Sequence, residues 1–214
     1  MRPIKIGTLF ALAATSLSAF AQDTQSLTVH SLTAGKYAAV DVNYFGSNHL
    51  LYAGPQSASL DGGERFDAYC VDLTHWNSLP TVYPVNVLST DLLTNGQRIA
   101  YLYETYAGTV TNATQGAALQ LAIWDVLTDD GDGFTAGNFK SSTGGAILTQ
   151  ANTYLLDSVY MTGEVSWLKA ATHGNGGQYQ DLVGPAVPGP AAALPFAAWA
   201  IALRKRRNRQ LKKA

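Results

Sequence analysis

The sequence predicts an α+β domain, a β-rich half forming a sheet or barrel followed by a small helical half, set between two sorting elements at the chain ends. Three observations predict it. Up to Leu88 apolar residues alternate or cluster in short runs between turn residues, from Asn95 they recur at helical spacing, and uncharged stretches occupy both ends. At 214 residues, 47% hydrophobic and 14% charged, the chain can bury one sizeable core and is too apolar for wholesale disorder.

Residues 1–21 read as a signal peptide. Arg2 and Lys5 form a short basic region, Ile6 to Leu17 an apolar one, and Ala19-Phe20-Ala21 offers small residues at the spacing a signal peptidase needs, leaving Gln22 first in the mature chain. The apolar run is shorter than the roughly 20 residues that span a bilayer.

The body, expected over 22–172, opens with short strands. Leu27, Val29, Ala39, Val40 and Val42 alternate loosely, and Tyr44, Phe45, Leu50, Leu51 and Tyr52 follow across Gly, Ser and Asn turns. Arg65 to Leu73 reads as a strand with Phe66, Ala68, Cys70 and Asp72 on one face and Tyr69, Val71 and Leu73 on the other. Thr81–Tyr83 and Val85–Leu88 continue the β-rich half, interrupted by Pro80 and Pro84.

Ile99, Leu102, Tyr103 and Tyr106 then predict a helix over Asn95–Ala107, stopped by Gly108. Thr114 is placed to cap a second helix, Gln115–Leu127, with Ala118, Leu119, Ala122, Ile123 and Val126 as its buried stripe. Gln120 and Trp124, four apart, share one face of it. A third helix is predicted over Ala146–Val159 and a last strand over Glu164–Ala170, with 173–186 as a Gly-rich linker.

The tail is expected over 187–214: from Ala186 to Leu203 there is no charge, and Arg204, Lys205, Arg206, Arg207, Arg209, Lys212 and Lys213 follow. That is a short transmembrane helix with a positive-inside stop. With Val187-Pro188-Gly189-Pro190 before it, the order of parts resembles the PEP-CTERM sorting tail, which a membrane-embedded exosortase cuts near its Val-Pro-x-Pro motif; Gly189 stands where that family has glutamate. The resemblance implies retention in the membrane through the C-terminal helix and then display at the cell surface or release outside. A plain tail anchor needs only the apolar run and its basic flank.

Charge divides unevenly. All 15 acidic residues lie in the body with five of the 14 basic ones, so the body carries −10 although the whole chain is near neutral. Such a surface repels nucleic acid and attracts cations.

Cys70 is the one cysteine, so an exported chain cannot close an internal disulfide with it. It is an inert core residue, a linker between molecules, or a chemically used sulfur. Hydrolysis would pair it with His75, His173 or another histidine, but no Gly-rich nucleophile elbow or papain-like signature is present, and the expectation is a module that is not an enzyme. One cysteine and scattered histidines do not make a four-ligand zinc site. Asp129, Asp130 and Asp132, on a Gly-rich loop, suit calcium's preference for oxygen, although the EF-hand pattern is absent; the alternative is a solvated turn closing the second helix.

Two short motifs, Tyr69-Cys70-Val71-Asp72-Leu73 and Leu119-Gln120-Leu121-Ala122-Ile123-Trp124, resemble the two signatures of bacterial thioester domains, surface-adhesin modules with an aromatic-Cys-apolar strand facing an apolar-Gln-x-x-apolar-Trp helix. The resemblance implies that Cys70 is the sulfur donor and Gln120 the acyl donor of an internal thioester, that Tyr69 and Trp124 line its pocket, and that a target amine attacks the bond. A thiolate nucleophile, near-attack geometry and a polarised amide oxygen are what this chemistry requires. Asp72, His75 and Tyr103 are the candidate bases. Two function classes follow: an adhesion module that captures an amine-bearing surface ligand covalently, or a non-covalent component of extracellular matrix or biofilm that contacts polysaccharide through acidic and aromatic residues.

Overall fold

The computed structural model describes residues 24–175 and 177–187. The signal segment and the apolar and basic parts of the tail lie outside the described residues. Among the described residues no helix is long and apolar enough to cross a membrane.

Six strands close an antiparallel barrel in the order β1 (Thr24–Leu32), β4 (Gln56–Leu60), β5 (Phe66–Cys70), β9 (Leu182–Gly184), β8 (Ser166–Ala170) and β6 (Thr81–Ser89). The sequence alternation becomes burial: Leu27 and Val29 on β1, and Tyr83 and Val85 on β6, are buried on either side of more exposed neighbours. Pro84, expected to break β6, instead sits inside it opposite Ser26, on the exposed side of the strand, and its carbonyl accepts the Ala171 N–H at 2.9 Å. Closure gives each of the six barrel strands a neighbour on both sides.

A second sheet orders β3 (Ser47–Ala53), β2 (Ala38–Tyr44) and β7 (Phe139–Ser141). Phe45 and Gly46 both take positive φ, 47° and 83°, which gives the β2–β3 hairpin the tight turn that matches strand twist. α1 (Gly96–Tyr106), α2 (Ala113–Asp129) and α3 (Ala146–Asp157) complete the fold.

α2 packs against both sheets and both other helices. Every residue from Gly116 to Val126 is buried, so the helix is enclosed all round; the expected single apolar stripe is corrected to a central core helix. Its cap is corrected too. Asn112, in extended conformation, accepts the Gln115 N–H at 3.0 Å, and Thr114 lies within the first turn.

The largest correction concerns the expected linker. Residues 173–186 contain β9, which pairs with β5 on one side and β8 on the other and closes the barrel, with Asp181, Leu182 and Val183 buried. A three-residue strand in a Gly-rich segment has no periodicity to read; its identity comes from the two strands it joins. Leu182→Ala is therefore expected to cost about 2–5 kcal/mol in urea unfolding, where a linker position would change stability by no more than about 0.5 kcal/mol.

Candidate functional site

β5 ends at Cys70 for a backbone reason. In an antiparallel pair, alternate residues direct their N–H and C=O to alternate sides. Tyr69 faces β9, in register with Val183, while Ala68 faces β4, in register with Gln56. Cys70 faces the β4 side again, but β4 begins at Gln56. The carboxamide of Gln120 takes the missing strand's place: the Cys70 N–H donates to Gln120 Oε1 at 3.0 Å, and Gln120 Nε2 donates to the Cys70 carbonyl at 2.8 Å. Both bonds are buried, and Gln120 is 1% exposed.

The sulfur has separate partners. Cys70 Sγ donates to the Asp72 carbonyl at 3.0 Å and receives the Asp72 N–H at 3.3 Å, with no imidazole among its hydrogen-bond partners. Burial pushes the thiol up to about 12, against the opposing effects of the Asp72 backbone and the Trp124 indole. The Trp124 N–H lies near enough to favour the thiolate yet is left without a formed hydrogen bond, a buried donor in reserve beside the sulfur. Trp124 also forms part of the wall of a cleft of about 440 Å³ bordered by Tyr52, Leu73, His75, Trp76 and Gln180.

Tyr69 is placed elsewhere. Its ring meets Tyr103 edge-on with centroids 6.1 Å apart, and it is fully buried on the other side of β5 from Cys70. It supports the strand from the core, on the face opposite the Cys70 side chain. Tyr103, one candidate base, donates its hydroxyl to the Asp67 carbonyl at 2.7 Å, and burial raises its phenol.

Folding also assembles a group that sequence reasoning kept apart. Asp72 turns the chain after β5 by accepting the Thr74 N–H at 2.9 Å and binds His75 Nδ1 at 2.5 Å. His173, from the expected linker, stacks on His75 with ring centroids 3.8 Å apart and planes 7° from parallel. Burial works to raise the Asp72 carboxyl, but the bonds from Thr74 and His75 outweigh it and hold it below the usual carboxylate range. One ligand-type atom from each of Asp72, His75 and His173 lies within 4.8 Å of the others. Parallel stacked imidazoles cannot both aim an in-plane lone pair at one ion, so the trio is not arranged as a zinc site. The Asp-x-x-His spacing was the one visible signal; His173 had none.

The acidic loop is rearranged relative to expectation. Asp130 has an exposed side chain and pairs with Arg98 at 3.5 Å, outside the cluster. Asp125, on the last turns of α2, joins Asp129 and Asp132 instead, one carboxylate oxygen of each within 4.8 Å of the others. Burial, then the charges of Asp132 and Asp129, push the Asp125 carboxyl up to about 7 against the Gly133 N–H and Arg98.

Neither a family model nor a curated protein matches this sequence. Among solved structures, the chain is similar to the N-terminal thioester domain of the fibronectin-binding protein SfbI from Streptococcus pyogenes, at 12% identity and a TM-score of 0.42, covering 77% of this chain and 94% of that one. It is also similar to the N-terminal domain of the Streptococcus pyogenes pilus tip adhesin Cpa, at 14% identity and a TM-score of 0.45, with the same coverage.

Proposed function

We propose that the chain is an exported adhesion module in which Cys70 and Gln120 condense to an internal thioester that captures an amine-bearing surface ligand. The observation that supports it is the two-point bonding of the Gln120 carboxamide to Cys70, which keeps a buried acyl group at the residue that carries the thiol. The Cys70 sulfur would attack Gln120 Cδ; the negative charge developing on Oε1 falls where the Cys70 N–H already donates. The C–N bond then breaks, and the amide nitrogen leaves as ammonia with the thiol proton. A ligand amine attacking the same carbon would break the C–S bond, return a proton to the sulfur, and leave an N-substituted Gln120.

In this reading the amine approaches from the cleft walled by Trp124, with His75, held by Asp72, at its border to accept the proton shed during attack. Export, processing of the Val187–Pro190 motif by an exosortase-like enzyme, and membrane retention before release belong to the same reading and rest on the sequence of the two ends. The non-covalent alternative is favoured by one observation: the same two hydrogen bonds also complete β5 as ordinary structure. Intact mass separates the two. The thioester reading expects the body about 17 Da below its sequence mass, the ammonia lost in acyl transfer; an unmodified mass in freshly purified, amine-free protein overturns it.

A further inference from the structure

We propose that Asp125, Asp129 and Asp132 bind a calcium ion that clamps the loop between α2 and β7 onto the end of α2, behind the Trp124 wall of the cleft.

Asp125 carries the inference. It is 0% exposed, its Oδ2 accepts the Gly133 N–H at 3.0 Å, and its Oδ1 is sealed from solvent with no donor among the described residues. A buried carboxylate oxygen with no partner is costly unless a cation supplies one. The other two carboxylates deepen the need, since each brings an oxygen within 4.8 Å of Asp125 and of the other. The neighbouring cation is engaged elsewhere: Arg98 donates from Nε to Ser158 Oγ at 2.9 Å, from Nη2 to the Leu155 carbonyl at 2.9 Å, and from Nη1 to the Asp130 carbonyl.

The donor set chooses the ion. Three carboxylates with no nitrogen or sulfur select a hard cation, and an irregular loop suits calcium's variable coordination better than magnesium's strict octahedron. The loop is built for close approach. Asp129 Oδ2 accepts the Asn138 and Phe139 N–H groups at 2.8 and 2.6 Å, and a Cβ at Gly137, whose φ is +74°, would stand 2.6 Å from that oxygen and 3.1 Å from Asp132 Oδ2.

Beyond the ion lies the cleft. Phe139 packs against Trp124 with ring centroids 6.1 Å apart, and Phe134 packs on Phe139 at 6.3 Å. The clamped loop therefore backs the indole that borders the Cys70 thiol. The site does not depend on the thioester, because none of its ligands touches Cys70 or Gln120.

The test is titration calorimetry and thermal melting of the full chain, stripped with EGTA, against calcium and separately magnesium chloride. One calcium per chain is expected, in the roughly 10⁻⁴–10⁻³ M range of extracellular modules, with the melting temperature rising about 3–6 °C at calcium tenfold above its dissociation constant. Asp130→Asn should keep the full shift. Asp125→Asn should lose it, and the surface variant Asp132→Asn, whose folding is not at risk, should weaken calcium binding at least tenfold. Absence of heat and of a melting shift, a shift retained in both Asp125→Asn and Asp132→Asn, or equal binding of magnesium would each overturn the calcium assignment. The mass of the same sample reports the thioester separately, so the two readings fail independently.

Discussion

Replacing Gln120 with alanine is expected to abolish amine capture and return the body to its sequence mass. The wild-type chain, given methylamine, should move from about 17 Da below the sequence mass to about 14 Da above it, as the acyl group passes from sulfur to the amine. Cys70→Ala should lose the same reaction while retaining the fold, because Gln120 bonds to the Cys70 backbone and not to its side chain. Gln120→Ala differs: it strands a buried N–H and C=O, at about 1–3 kcal/mol each, so it should also unfold at lower urea. Mass is the decisive readout. A thiol pushed up to about 12 by burial resists alkylation near neutral pH whether or not it was ever acylated. In Gln120→Ala its alkylation rate should climb roughly tenfold per pH unit above neutrality without levelling below the folded value, since only the thiolate reacts.

Gly116→Ala is expected to destabilise the chain by about 3 kcal/mol or more, lowering the melting temperature by about 6–12 °C. Helix propensity argues the other way: alanine in a helix interior is favoured over glycine by about 1 kcal/mol. The clash decides the sign. A Cβ at Gly116 would lie 1.9 Å from the Lys36 carbonyl oxygen and 3.1 Å from Pro55 Cδ, so α2 must retreat from the turn that enters β2 and from the start of β4. Gly116 is one helical turn from Gln120, and the retreat would draw the carboxamide off Cys70. The fraction of chains lacking about 17 Da should fall accordingly, measured on the fraction that remains folded by near-ultraviolet dichroism. A stabilised Gly116→Ala would show that α2 is not seated this closely.

The helices were legible because their signal is local. Ile99, Leu102, Tyr103 and Tyr106 mark α1 within a residue of its ends, and Ala146 begins α3 as the spacing predicted. α2 ran further than expected at both ends, since Asn112 caps it and Asp130 in left-handed conformation stops it, features of backbone geometry that apolar spacing does not carry. β7 went unread for the reason β9 did: three residues are too few to show a period, and both exist only because a longer strand offers them an edge.

Chemistry followed the same division. The scarcity of cysteine and the two short motifs single out Cys70, Gln120 and Trp124, because residue identity is a property of the chain alone. That Gln120 grips the Cys70 backbone while the sulfur turns to Asp72, that Tyr69 stands behind the strand, and that Asp125 replaces Asp130 among the clustered carboxylates depended on which groups meet across 50 residues or fewer of intervening chain. His173 reaches His75 from the connection between β8 and β9 in the same way. Side-chain chemistry is written residue by residue, whereas partnership is set by strand register, helix seating and barrel closure, each fixed by burial summed over the whole core.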